Sequence, residues 1–271
     1  MRNYEKLWFT IKLKAAQLAF DGGQIEKLTK ELEDLKNFCR DMDVGNPKAY
    51  DERKGTQLMS LYALEIQMYT IKQDEKMLRK LYQSASDARL MKSAVPPPKI
   101  MGIIKECGGK MFMQQQQWKE AEAAFFDAFR NYDDAGHPKR IQCLTYLVLG
   151  NMLSGSAINP FHHLQARPYK NDPEMIVLAE LSDAYRDRHI KQFERVLAEH
   201  GKKLRQDLYF SHFLDLLKRK AHIHLGRCLS VEAGAESRRF LMVNNRAGGN
   251  NGEEMPPAPL LSHSLRDFGQ I

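Results

Sequence analysis

The chain has 271 residues, 43% of them apolar and 28% charged, with a formal net charge of +7 and a pI near 9.1. That length can bury a sizeable core, and that composition excludes a chain disordered throughout. Charges break every apolar run before the roughly 20 residues a bilayer crossing needs, and Met1 to Lys6 lead into an amphipathic stretch rather than a secretory signal, so a soluble intracellular protein is expected.

Helical periodicity runs from Tyr4 to about Leu225, with no convincing strand pattern. Leu7, Ile11, Ala15 and Leu18 open it; Ile25, Leu28, Leu32, Leu35 and Phe38 follow, then Leu58, Leu61, Leu64 and Met68. Breakers separate the runs at Asp21-Gly22-Gly23, Gly45-Asn46-Pro47, Pro96-Pro97-Pro98 and Asp134-Ala135-Gly136-His137-Pro138. Asn171-Asp172-Pro173-Glu174 reads as a further helix start, with Asn171 or Asp172 as the cap. The helices read as pairs: Phe20 leads through a short polar turn to Ile25, Tyr69 to Leu78, Phe112 to Trp118 and Tyr185 to Ile190. One such pair cannot bury its apolar face alone, so the pattern predicts an all-α, right-handed solenoid of tetratricopeptide-like hairpins over residues 1–225 with a long concave surface. From Gly226 the sequence turns to Gly248-Gly249-Asn250-Asn251-Gly252 and Met255-Pro256-Pro257-Ala258-Pro259, and residues 226–271 are expected to be a disordered tail.

No catalytic motif is present: there is no Gly-x-Ser-x-Gly, no phosphate-cradling Gly-x-x-x-x-Gly-Lys and no His-Glu-x-x-His. Gly108-Gly109 lies inside an apolar helical run, which points to close helix packing. His222 and His224 point about 200° apart on a helix, which does not suit one ion, and His162-His163 falls in a connecting loop, so no metal site is expected. Cys39, Cys107, Cys143 and Cys228 form no Cys-x-x-Cys pair and read as buried reduced thiols. Basic residues cluster at Lys139-Arg140, Arg167–Lys170, Lys202-Lys203-Arg205 and Lys218-Arg219-Lys220. Strung along a concave surface these make a positive groove for an acidic protein surface, a phosphorylated small molecule or nucleic acid. The aromatics fall at core positions instead of between the charges, which makes nucleic acid the weakest of the three.

Several segments together resemble the family of second subunits of the COP-9 signalosome. They include Lys54-Gly55-Thr56-Gln57-Leu58, the run Tyr62 to Thr70, Glu106-Cys107-Gly108-Gly109-Lys110-Met111, Asn131-Tyr132-Asp133, Asn151-Met152-Leu153, Ile158-Asn159-Pro160-Phe161 and Pro168-Tyr169-Lys170-Asn171-Asp172-Pro173-Glu174. The resemblance covers roughly residues 4–221. The proteasome-lid subunit of similar architecture is the alternative. The resemblance implies a chain shortened at both ends, lacking earlier repeats and with its PCI domain absent or incomplete. It further implies a non-catalytic scaffold of nucleus and cytoplasm, with no cofactor of its own. Its partners would be other signalosome subunits and cullin–RING ubiquitin ligases, with no membrane partner, and it would support removal of the ubiquitin-like modifier. By the same resemblance the basic pair Lys139-Arg140 is an anion- or partner-binding site, with inositol hexakisphosphate as the implied anion. A nucleic-acid-binding repeat protein is the alternative from another class.

Overall fold

The structure is a computed structural model. It describes residues 2–43, 52–87, 96–156, 158–207 and 209–221, all within one compact unit, Met1–His222. Among the described residues every regular element is helical: α1 (Arg2–Asp21), α2 (Ile25–Asp43), α3 (Glu52–Lys72), α4 (Glu75–Ala85), α5 (Pro98–Gln114), α6 (Trp118–Asp134), α7 (Lys139–Ser154), α8 (Ile176–Arg186), α9 (Ile190–Leu204) and α10 (residues 209–221). The breaker Gly45-Asn46-Pro47, the pair His222 and His224, Cys228 and the tail 226–271 lie outside the described residues.

The four expected hairpins are α1–α2, α3–α4, α5–α6 and α8–α9, and each closes through the same turn. A residue with positive φ ends the first helix: Gly23 (67°), Gln73 (55°), Gln116 (58°) and Arg188 (61°). The next N–H then reaches back to a carbonyl of the last helical turn: Gln24 to Ala19 (2.8 Å), Asp74 to Tyr69 (3.2 Å), Gln117 to Phe112 (2.9 Å) and His189 to Ala184 (3.0 Å). This satisfies carbonyls that a helix end otherwise leaves unpaired. The carbonyl of that same residue accepts the N–H of Leu28, Leu78, Ala121 or Phe193 in the second helix, so a single residue closes one helix and opens the next. The α6–α7 connection uses the same closure, with Gly136 at φ 60° and His137 N–H on the Tyr132 carbonyl at 2.8 Å.

Counted back from the accepting carbonyls of Ala19, Tyr69 and Phe112, the first helices of three hairpins share one register. Three, six and ten residues earlier lies an inner face: Ala16, Leu13 and Phe9 in α1, Ile66, Ala63 and Met59 in α3, Gly109, Glu106 and Gly102 in α5. One, five and eight residues earlier lies an outer face: Leu18, Lys14 and Ile11; Met68, Leu64 and Leu61; Met111, Cys107 and Ile104. Stacking sets inner against outer. Phe9 and Ala16 share a core with Leu61, Leu64 and Met68, joined by Leu28, Leu32 and Leu35 of α2. Met59, Ala63 and Ile66 share a second core with Ile104, Cys107 and Met111, joined by Leu78, Leu81 and Ala85 of α4. Each fully buried Leu or Met there contributes about 1.5–3 kcal/mol. The inner face of α5 is cut down to glycine because aromatic rings of α6 lie against it: a Cβ at Gly109 would sit 2.7 Å from Phe125 Cδ1. This is the close packing expected of Gly108-Gly109.

α7 is buried almost all round, from Cys143 to Leu153, as a helix enclosed by neighbours must be. A connection with two 310 turns, Pro160–His162 and Arg167–Asn171, follows it. His162 and His163 are exposed there, as expected. The helix start expected at Asn171–Glu174 lies instead at Ile176. The Asp172 carboxylate accepts the Glu174 N–H at 3.0 Å, two residues on, and so closes a turn, while the Asp172 carbonyl accepts Met175 and Ile176. That leaves the helix to begin after Met175, without a side-chain cap. Asp207 does cap α10, its carboxylate accepting the N–H groups of Tyr209 (2.9 Å) and Phe210 (3.1 Å).

Candidate functional site

Lys139 and Arg140 stand at the first turn of α7, just after Pro138, whose φ of −61° suits a helix start. Cations are disfavoured at that end of a helix, and both side chains turn to carboxylates of the preceding hairpin. Lys139 Nζ lies 3.5 Å from Glu106 Oε2, and Arg140 Nε 3.8 Å from Asp133 Oδ1. Both remain open to solvent, with side chains 44% and 32% exposed. The Arg140 guanidinium also lies 5.9 Å from the Tyr169 ring, whose hydroxyl donates to Asp133 at 2.5 Å.

Beneath this pair is a buried polar network. Glu106 occupies the inner-face slot that holds Leu13 in α1 and Ala63 in α3, and it is only 3% exposed. Lys110 Nζ donates to its Oε1 at 2.6 Å, and the Tyr132 hydroxyl donates to its Oε2 at 2.7 Å. Burial works to raise the Glu106 pKa, but Lys110, Lys139 and the hydrogen bonds from Lys110 and Tyr132 outweigh it and hold the carboxyl below its ordinary value. For Lys110 burial works downward, and the Glu106 carboxylate reverses it, so the ammonium titrates above its ordinary value. Lys110 also lies 5.4 Å from the Tyr146 ring and 5.7 Å from the Tyr209 ring. Tyr146 donates to Asp207 at 2.9 Å and accepts from Gln142 at 2.8 Å, and Tyr209 donates to the Lys110 carbonyl at 3.3 Å. Burial pushes the three tyrosines upward, so they stay neutral donors.

Lys110, Lys139 and Arg140 thus meet Glu106 and Asp133, with Asp207 joined through Tyr146, and the side of the network open to solvent is the Lys139–Arg140 pair. The arrangement suits binding an anion or an acidic surface. Covalent chemistry is not favoured by the groups present: burial pushes the Cys107 thiol up to about 11 and Cys143 well above its ordinary value, so both are thiols at neutral pH. His137, stacked 5.1 Å from Tyr132, titrates below its ordinary value through burial and the charges of Lys99 and Lys139. No group of three or more metal-ligating side chains comes together among the described residues.

The other basic clusters are partly drawn inward. Lys170 pairs with Asp183 at 3.3 Å, Lys203 donates to the Pro173 carbonyl at 3.5 Å, and Lys220 donates to the Leu153 carbonyl at 3.0 Å while lying 4.6 Å from the Trp118 ring. Arg167 and Arg219 stay exposed. Sequence reasoning named Lys139 and Arg140 but missed Glu106, Lys110, Tyr132 and Asp207 beneath them. The available signal was Glu106 and Lys110 four residues apart, Glu106 being the sole acid of α5, whose other charges are lysines.

No protein-family model matches the chain. Over 215 residues, 79% of this chain, it is 45% identical to the COP9 signalosome complex subunit 2 of Dictyostelium discoideum and 43% identical to that of Drosophila melanogaster. Against the protein of the same name in Schizosaccharomyces pombe it is 40% identical over 213 residues. The chain spans about half the length of these curated relatives, 46% of the first and 47% of the other two. A weaker likeness, 24% identity over 120 residues, links 42% of the chain to 29% of the probable 26S proteasome regulatory subunit rpn-6.2 of Caenorhabditis briggsae.

Proposed function

Because this chain belongs, over the stretch compared, to the family of COP9 signalosome complex subunit 2, we propose that it is a non-catalytic scaffold subunit of that complex. In this reading it supports removal of the ubiquitin-like modifier from cullin–RING ubiquitin ligases through protein–protein contacts, in the nucleus and cytoplasm. The observation that carries the proposal is identity of 40–45% to proteins of that name along most of the chain. The fold agrees with it: stacked hairpins offer long faces for docking, and the buried ionisable groups of the central network are engaged with one another. Lys139 and Arg140 are the residues we assign to an acidic partner or a polyphosphate, inositol hexakisphosphate being the implied one. A charged pair of this kind speeds and orients encounter more than it adds affinity.

The test is affinity purification of the tagged chain from its own cells with mass spectrometry of what accompanies it. Signalosome subunits and cullins are expected. Proteasome-lid subunits instead would favour the lid-like scaffold, the reading to which the rpn-6.2 likeness points. Recovery of chaperones alone would overturn both.

A further inference from the structure

α6 runs antiparallel between α5 and α7, so the starts of those two helices lie beside its end. A Cβ at Gly102, in the second turn of α5, would meet Tyr132 Cδ1 near the end of α6 at 2.8 Å. One at Gly150, late in α7, would lie 3.7 Å from the Glu122 backbone near the start of α6. Lys99, Lys139 and Arg140 therefore gather at one end of this layer, around the α6–α7 turn that carries His137. Each keeps donors in reserve. Lys99 is exposed and has no ion pair among the described residues. Lys139 Nζ lies 3.5 Å from Glu106 Oε2, an oxygen that the Tyr132 hydroxyl already holds at 2.7 Å. Arg140 Nε has no hydrogen-bond partner among the described residues.

His137 sits among them half-buried, its ring stacked on Tyr132 and its Nδ1 accepting the Lys139 N–H at 3.3 Å. The groups that bear on the ring are Lys99 and Glu106 of α5, Tyr132 of α6 and Lys139 of α7. Of the two acids closing α6, Asp133 is turned to Arg140 and Tyr169, and Asp134 is exposed. Burial, then the two lysines, lower the pKa of the imidazole against the pull of Glu106.

We propose that Lys99 and His137 complete, with Lys139 and Arg140, a site for a small polyphosphate, and that filling it loads a proton onto the His137 imidazole. This rests on the assignment of Lys139 and Arg140 to such an anion made above. Cations drawn from two first turns and the turn between them suit several phosphates on one compact molecule. A polyanion seated there cancels the field that holds the ring neutral. The imidazolium gives up the 3.3 Å contact from the Lys139 N–H and gains a charge facing the anion. By linkage, binding tightens as pH falls from the bound toward the free pKa of the ring, and it takes up part of a proton near neutrality.

The test is calorimetric titration of the full chain with inositol hexasulfate, whose charge is fixed from pH 6 to 8, so that any proton taken up is the protein's. Binding is expected to be about fivefold tighter at pH 6 than at pH 8. Heats in buffers of different ionisation enthalpy should report the uptake, and the His137 ring protons, followed by NMR, should titrate at higher pH with the ligand than without. His137→Gln is expected to flatten the pH profile and remove the uptake, and Lys99→Gln to weaken binding about threefold. If Lys139→Gln with Arg140→Gln abolishes binding while Lys99→Gln and His137→Gln change nothing, the polyphosphate reading of the pair stands and this inference falls. Binding indifferent to pH, or uptake that survives His137→Gln, overturns it as well. Binding neither of the hexasulfate nor of inositol hexakisphosphate overturns both.

Discussion

Two buried glutamates behave oppositely, and the difference lies in what surrounds each. Glu106 receives Lys110 and Tyr132 at hydrogen-bond distance and Lys139 nearby, and its pKa falls. Glu65, 1% exposed, pairs among the described residues with Lys36 alone, and its other oxygen has no hydrogen-bond partner among them; burial dominates, and its pKa rises. With a depressed folded pKa, Glu106 contributes stability that is present above its unfolded value near 4.3 and is lost as pH falls through the folded value. Glu65 has the opposite sign: the folded state holds its proton longer, so its contribution declines as pH rises from the unfolded to the folded value. Glu106→Gln is therefore expected to cost about 3 kcal/mol at pH 7, the scale of breaking a buried pair, and to flatten the acid limb of stability against pH. Glu65→Gln is expected to cost far less, because Lys36 is a third exposed and regains water. Urea unfolding midpoints from pH 3 to 8 compare the two. This pair of roles was not legible in the sequence. Periodicity assigns charges to solvent, and at the slot of Glu106 the rule fails because donors from α6 and α7 converge there.

The hairpin turns were the most legible elements, since an aromatic, a short polar stretch and a new apolar beat mark them directly. The left-handed residue within each was not, because only Gly23 announces it; Gln73, Gln116 and Arg188 adopt the same conformation against their preference. Such a residue costs about 1–2 kcal/mol when it is not glycine. Gln116→Gly, at an exposed position, is expected to raise stability by about 0.5–1 kcal/mol, net of the added freedom of the unfolded chain, read as a higher thermal midpoint. Gly109→Ala should do the reverse: its Cβ drives into Phe125, and overpacking of this kind costs about 1–3 kcal/mol. The start of α8 was misplaced because Asp172 reads equally well as a helix cap and as the head of a tight turn. The side chain chooses the nearer N–H of Glu174, and sequence holds no sign of that choice.

Across the whole molecule the polar network works as a tie between distant parts of the chain. Tyr146 of α7 and the cap of α10 meet at one carboxylate, Asp207, and Tyr209 of α10 reaches back to α5. Asp207→Ala removes the cap, expected to cost about 1–2 kcal/mol, and hydrogen exchange should then speed up over residues 209–221 while α7 stays protected. The shared register has a further consequence for how this chain tolerates change. The accepting carbonyls are fifty residues apart between Ala19 and Tyr69 but forty-three between Tyr69 and Phe112, and the inner and outer faces still coincide. Phase is kept by each helix counting backward from its own turn and is not inherited from the preceding hairpin, so the links between hairpins are free to change length. Inserting four residues between α2 and α3 is expected to shift the thermal midpoint little, since lengthening a loop costs only a few tenths of a kcal/mol. One residue inserted between Leu61 and Leu64 turns half a helix by about 100° and should unfold both adjoining cores. Length polymorphism in this solenoid therefore belongs in its seams, where it goes unfelt, and never in the last three turns of a first helix.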